Sequence, residues 1–271
     1  MILPVLHFIW INGSRDFGIG EYASILSALL NTSYDVMLHT DLKPTTIKSK
    51  YNPYKLKDSR FKIHHQAFQT TVEGVKLRMA NVSDIYRILF LYEYGGMYSD
   101  LDILWVKDID IDLKKHKMIA GWENPTYRTV TNAWIGCQKH YPPLKTLIDQ
   151  FHDAVKSLKA TGLNNITGSD YHKHHTLLFY LTRDFLREHC DMIMPKATLF
   201  KNGWRKIARA FRQSHIPFLH EEQIPPSHTE DALNFDGISG FHFWNSFFPF
   251  ERLVKLPAVK EKFATLLSAL P

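Results

Sequence analysis

Residues 3–39, LPVLHFIWINGSRDFGIGEYASILSALLNTSYDVMLH, decide the fold class. Leu3 to Trp10 is an apolar run of strand length and reads as a buried strand. A turn from Asn12 to Asp16 leads into a helix near Phe17 to Leu30. Tyr34 to His39 is a second strand, apolar enough to lie inside a sheet. A strand, a helix and a strand in that order predict a parallel, Rossmann-like sheet, with its ligand beyond the strand carboxyl ends. Gly18-Ile-Gly20 is too short to be a phosphate loop by itself and carries little weight.

The rest of the chain fits that class. It has 271 residues, 45% hydrophobic and 13% aromatic, which excludes a disordered protein because the apolar side chains needed to offset ordering entropy are present. The expectation is one α/β domain spanning residues 1–271, with helical additions towards the carboxyl end. Cys137 and Cys190 cannot make a disulfide framework and read as reduced core residues. No apolar run approaches the ~18 residues of a membrane span. The opening segment lacks a basic leader and is broken by Pro4 and His7, so it reads as a strand and not a signal peptide. A cytoplasmic protein is expected, and the sequons at Asn31, Asn81 and Asn165 are then incidental. The net charge of +6 suits anionic ligands such as nucleotide phosphates. It equally suits peripheral contact with the negative inner face of a membrane. No nucleic-acid-binding signature is visible, so nucleic acid is not an expected partner.

Arg78 to Asp110 carries the chemistry. Val82, Ile85, Tyr86, Leu89 and Phe90 recur at i, i+3, i+4, i+7 and i+8, the core face of a helix. The other side is apolar too, since Ala80, Ile88 and Leu91 flank Asp84 and Arg87. Those two charges stand one turn apart on one side of a buried helix, where each needs a partner. An internal Asp84–Arg87 pair without a ligand is the plainer alternative. Gly95-Gly96 ends the helix. In Met97-Tyr98-Ser99-Asp100-Leu101-Asp102-Ile103-Leu104-Trp105, strand alternation puts Asp100 and Asp102 on one face. Adjacent carboxylates repel unless a cation sits between them or one is protonated, and hard divalent ions such as Mn²⁺ or Mg²⁺ take oxygen ligands. The pattern suggests a metal–diphosphate clamp at a strand end. Asp108-Ile-Asp110-Ile-Asp112 has the same alternation but no preceding helix stop, and reads as an exposed acidic turn.

Farther along, Asn132 to Gly136 looks like a strand end, followed by a helix starting at Pro142-Pro143. Thr167 to Asp170 caps a helix running through Arg187. His172, His174 and His175 read as polar-network histidines, because no other ligand lies at a zinc-like spacing. The basic and aromatic stretch Lys201 to Phe218 reads as an amphipathic surface helix, with an acceptor- or membrane-facing flap as the alternative. Ser239 to Phe248 sets His242, Asn245 and Ser246 among aromatics.

Leu6 to Asn12, then Ser83-Asp84-Ile-Tyr-Arg87 leading into Tyr94-Gly-Gly-Met-Tyr98-Ser-Asp100-Leu-Asp102, resemble the DXD-containing sugar-binding glycosyltransferases. Fungal Och1-type mannosyltransferases and many bacterial polysaccharide enzymes are members of that family, and the catalytic domains of the large glucosylating toxins are more distantly similar. The resemblance is strongest over residues 3–105. It implies a GT-A fold, retaining transfer from a nucleotide sugar, and a divalent metal, usually Mn²⁺ (or Mg²⁺). By position, Trp10 would stack on the nucleotide base with Ile9 and Asn12 beside it. Asp84 and Arg87 would hold the donor sugar and its phosphates. Tyr98 would contact the diphosphate, Asp100 the ribose or the metal, and Asp102 the metal directly. Asn132 falls where the family places a polar residue near the donor sugar. The closing segment is similar to the family's His-x-Trp-x-x-Ser-Trp motif but departs from it in spacing. It implies His242 as metal ligand, with Asn245 or Ser246 assisting.

The reaction so implied moves a hexose, most readily from a UDP-sugar, to a carbohydrate or lipid-linked acceptor, with Asp84, Arg87 and Asp102 as the catalytic set. No feature nominates a carboxylate nucleophile, so front-face attack assisted by the leaving phosphate is the expected route. Two alternatives belong to other classes. One is a non-catalytic nucleotide-sugar binder, against which the intact Asp-x-Asp speaks. The other is a toxin-like effector that glycosylates a host protein.

Overall fold

β1 (Val5–Trp10) is buried along nearly its whole length because it has a parallel neighbour on each side. On one side lies β2 (Asp35–Thr40), followed by β3 (Phe61–His65); on the other, after the separate short hairpin of β4 (Thr71–Val72) and β5 (Val75–Lys76) in the chain, lies β6 (Gly96–Ser99). Beyond β6 the sheet continues through β9 (Thr129–Cys137) and β8 (Met118–Asn124) to β10 (Met192–Met194). Of these seven strands β9 alone runs against the rest, so the sheet is mostly parallel. The structure is a computed structural model that describes residues 4–11, 16–109, 111–124, 128–165, 181–195, 204–214, 233–243 and 248–271. Thr167 to Asp170, His172, His174, His175 and Asp110 lie outside the described residues.

Helices cover both faces. α1 (Ile19–Asn31) joins β1 to β2 as expected, within two residues of the sequence reading. Gly18 is its N-cap, and the Glu21 carboxylate accepts from the Gly18 N–H at 3.1 Å. A side-chain anion therefore already sits at this helix start, which agrees with the low weight given to Gly18 and Gly20 as a phosphate loop. At the other end Arg60 donates to the carbonyls of Leu29 and Thr32, two of the acceptors a helix terminus leaves open. α2 (Met79–Tyr94) and α3 (Pro142–Ala160) pack on the opposite face, and α3 opens on Pro142 as expected. Short helices at Phe250–Leu253, Pro257–Lys262 and Ala264–Ser268 close the carboxyl end, two of them against α1. Among the described residues, no helix is long and apolar enough to cross a membrane. Both cysteines are free.

Two expectations need correction. Asn132 to Gly136 is not a strand end but the interior of β9, paired with β6 on one side and β8 on the other. Asp100 and Asp102 do not alternate along one strand: β6 stops at Ser99, and β7 (Ile103–Trp105) begins a separate ladder. The cause is a change of partner, since β7 leaves the main sheet to pair antiparallel with β11 (Gly240–His242). Two buried hydroxyls of α1 serve the backbone of β7: Ser24 donates to Ile103 O at 2.7 Å, and Ser27 accepts from Trp105 N at 2.9 Å. The helix Trp204–Gln213, by contrast, is the ordinary amphipathic arrangement expected, with Ile207, Ala208 and Phe211 buried and Lys206, Arg209 and Arg212 half-buried.

A histidine chain crosses the parallel half of the sheet. His7 Nε2 donates to Gly95 O at 2.9 Å, which leaves Nδ1 to accept from His39 Nε2 at 3.0 Å. His39 Nδ1 must then accept from His64 Nδ1 at 3.1 Å. Both buried rings are held neutral. Burial, with the other histidines adding to it, pushes His7 down to about 4 and His39 to about 2.

Candidate active site

The helix stop Gly95-Gly96 places the site. Both glycines have positive φ, 66° and 91°, and a Cβ on Gly96 would stand 2.5 Å from Val5 O. Only glycine lets the chain leave α2 and enter the sheet this close to β1. The next residues reach the carboxyl edge of the sheet within one strand, as the sequence implied.

Asp84 and Arg87 are both buried in α2. Arg87 Nη2 meets Asp84 Oδ1 at 3.0 Å and Asp100 Oδ1 at 3.4 Å, while Nη1 donates to Asn132 O at 2.6 Å. Its guanidinium lies 4.5 Å from the centre of the Tyr98 ring, and Tyr98 donates its hydroxyl to Asp100. Asn132 turns back and donates to Asp84 Oδ1 at 3.0 Å. Neighbouring Ala133 O accepts from Asp100 N at 2.8 Å, so β9 holds both acids in place. The interior position of Asn132 on β9 thus brings it into this network.

His242 comes from the far end of the chain. The β7–β11 register sets it opposite Ile103, one residue from Asp102, and Phe243 N donates to Asp102 O at 3.0 Å. Its Nε2 lies 3.1 Å from Asp102 Oδ1. Ligand atoms of Asp100, Asp102 and His242 all fall within 4.8 Å of one another. The His242 ring is buried, whereas the side chains of Asp100 and Asp102 keep 28% and 24% of their surface open. The carboxylates therefore still face a route of entry.

The charges follow from burial. It raises Asp84 to about 6 against the pull of Arg87, and Asp100 is raised for the same reason, with Asp102 adding repulsion. Burial works against the charge on Arg87, but Tyr98 and the surrounding acids outweigh it and push that group up. His242 likewise holds its proton more firmly than usual, because the Asp102 carboxylate outweighs the cost of burial. Three acids thus face one guanidinium and one imidazole, an excess of negative charge that a divalent cation would neutralise.

Of the other residues named from the sequence, Ile9 and Trp10 are buried at the carboxyl end of β1, where Trp10 meets Phe17 edge-on at 5.3 Å. Asn12, Asn245 and Ser246 lie outside the described residues. Asp108 and Asp112 are exposed, and Asp108 accepts from the Ser33 backbone and hydroxyl, in line with an acidic turn. Glu123 on β8, close enough to His242 to help hold its proton, was not anticipated. A lone glutamate ending an apolar strand carries no motif.

A mostly parallel sheet with helices on both faces, an Asp-x-Asp at its carboxyl edge and a buried Asp–Arg pair beneath define the GT-A arrangement. Residues 22–120 match the family described as glycosyltransferase sugar-binding region containing DXD motif. No curated protein matches the chain. The apo-form glycosyltransferase GlyE of Streptococcus pneumoniae TIGR4 is similar in fold: TM-score 0.52, 11% identity, with 97% of this chain covering 63% of that one. PaToxG glycosyltransferase shares 20% identity over 69% of this chain and 68% of its own, at TM-score 0.46. The galactosyltransferase LgtC shares 12% over 98% and 96%, at TM-score 0.47. Residues 22–120 thus match a glycosyltransferase DXD region, set on a fold of GT-A type.

Proposed function

We propose that this glycosyltransferase moves a hexose from a nucleotide sugar, most readily a UDP-sugar, to a hydroxyl of a carbohydrate or glycolipid acceptor, with retention at the anomeric carbon. The observation that carries the reading is the convergence of Asp100, Asp102 and His242 beside Arg87. Two carboxylate oxygens and an imidazole nitrogen suit Mn²⁺ or Mg²⁺. The 3.1 Å between Asp102 Oδ1 and His242 Nε2 is the spacing of adjacent ligands on one small ion, about 3 Å for bonds of about 2.1 Å. The residues fit the group. When bound, the cation would supply positive charge to the pyrophosphate, lowering the cost of its departure.

The chain's own residues would do the rest. Arg87, locked by Asp84, Asp100 and Asn132, presents a fixed positive charge to the leaving phosphate and needs no reorganisation as charge develops there. Asp84 is engaged on one oxygen by both Arg87 and Asn132, which suits it to orienting sugar hydroxyls more than to attacking carbon. Retention then follows from front-face displacement: the acceptor oxygen bonds the anomeric carbon as the carbon–phosphate oxygen bond breaks, and the acceptor's proton passes to the departing phosphate oxygen. The reaction is assigned to the cytoplasm, where a peripheral membrane contact would serve a lipid-linked acceptor.

Asp102→Ala tests this. Metal-stimulated hydrolysis of a UDP-sugar should fall by more than about 100-fold while circular dichroism stays native, since removing a charge-stabilising group commonly costs that much. Normal, metal-stimulated hydrolysis by the variant would overturn the assignment.

A further inference from the structure

Asn81 is wholly buried, and neither end of its side-chain amide has a hydrogen-bond partner among the described residues. Such a group is rare in a folded protein, because a buried amide without partners forfeits the bonds it had with water. Its position gives the reason. Asn81, Asp84, Ile88 and Leu91 follow one another at i, i+3, i+7 and i+10, a single stripe of α2 that is buried throughout. Asp84 and Asn81 occupy successive turns of that stripe, about 4.5 Å apart along the axis. α2 runs antiparallel to β6, which follows it through the Gly95-Gly96 turn, so its first turn lies towards the carboxyl edge of the sheet. Helical side chains lean towards the amino end, which carries the Asn81 amide outward from Asp84 towards that edge.

We infer that Asn81 reads the transferred hexose: its amide exchanges hydrogen bonds with a sugar hydroxyl next to the one Asp84 holds. The inference rests on the donor-binding reading above and adds a specificity-determining residue to it. One Asn presents a donor and an acceptor, which matches the two roles of a hydroxyl. An amide left unpartnered in the protein alone also gives discrimination. A sugar that satisfies it gains the bonds, whereas one that does not leaves the desolvated group as it was.

The test is calorimetric titration with Mn²⁺ present. Wild type and Asn81→Ala are each titrated with UDP, GDP, UDP-glucose, UDP-galactose, UDP-N-acetylglucosamine and GDP-mannose. Asn81→Ala should weaken the best nucleotide sugar about tenfold and leave its nucleoside diphosphate within about twofold, the loss of one or two neutral hydrogen bonds. Asn81→Ser, which puts a hydroxyl, at once donor and acceptor, in place of the amide, should fall between wild type and Asn81→Ala and serves if the alanine variant does not fold. Equal weakening of sugar and diphosphate, or of neither, overturns the role of Asn81 and leaves the proposed function standing. If wild type binds no nucleotide sugar, the proposed function falls and this inference with it.

Discussion

Lowering the pH from 7.5 to 5.5 should destabilise the protein, and the histidine chain sets the size of the effect. His7 and His39 titrate at about 4 and about 2 in the folded protein against 6.5 when free, so the unfolded chain takes up protons first as pH falls. Stability contributed by these rings is full above pH 6.5 and drains away below it. At pH 5.5 each unfolded ring is about nine-tenths protonated while its folded counterpart is neutral, a loss of about 1.4 kcal/mol per histidine. Asp84 opposes them. Raised from 3.8 to about 6, it binds a proton in the folded state first and returns about 0.8 kcal/mol over the same interval. His242 and Asp100, also raised, act in the same direction as Asp84 and trim the loss further. The sum is a fall of about 2 kcal/mol at most, or about one extra proton bound on unfolding. Urea denaturation followed by tryptophan fluorescence, in EDTA at both pH values, measures it. Stability that is unchanged or higher at pH 5.5 would refute the claim that two neutral imidazoles are locked in the sheet.

Two substitutions probe the frame of the site. Arg87→Lys keeps the charge but loses the planar fork that serves Asp84, Asp100 and Asn132 O together, so unfolding free energy should fall by about 2 kcal/mol. Unchanged stability in a denaturant titration would show that charge alone suffices there. Gly96→Ala should cost about 3 kcal/mol, whereas Gly237→Ala should cost about 1 kcal/mol. Both glycines have positive φ, but only at Gly96 would the new methyl strike backbone, Val5 O at 2.5 Å, while nothing lies within 4 Å of the other. Similar melting temperatures for the two variants would mean that β1 yields to the methyl.

What the sequence made legible was the part of the site that is local. Asp84 and Arg87 are three residues apart on a helix apolar on both sides, so their pairing follows from helical geometry alone. The Gly95-Gly96 stop and the neighbouring carboxylates are equally short-range. The parallel opening was readable because strand and helix periodicities alternate there. Beyond that range the signal fades. Nothing in Ile103 to Trp105 announces that this strand leaves the main sheet for a partner more than 130 residues away, so the bend at Asp100 to Asp102 was read as straight strand. In β9 the mixed stretch Thr129-Val-Thr-Asn132 precedes the apolar Ala133 to Cys137, so composition gives no sign that the strand already begins at Thr129 and holds Asn132 in its interior. The three histidines stand on separate strands and meet only through register. Asn81 looks like any polar residue in a helix until its burial is known.

The β7–β11 ladder ties the site to the order in which the chain is made. A nascent polypeptide emerging from the ribosome amino end first has Asp100 and Asp102 long before it has His242, which is carried by the strand that closes on Ile103 to Trp105. Until that late segment docks, the two acids lack their imidazole, and the backbone of Ile103 to Trp105 has no strand beside it. A truncated product would lack the third member of the candidate cation site, so under the proposed function ion uptake would report that synthesis has passed residue 242.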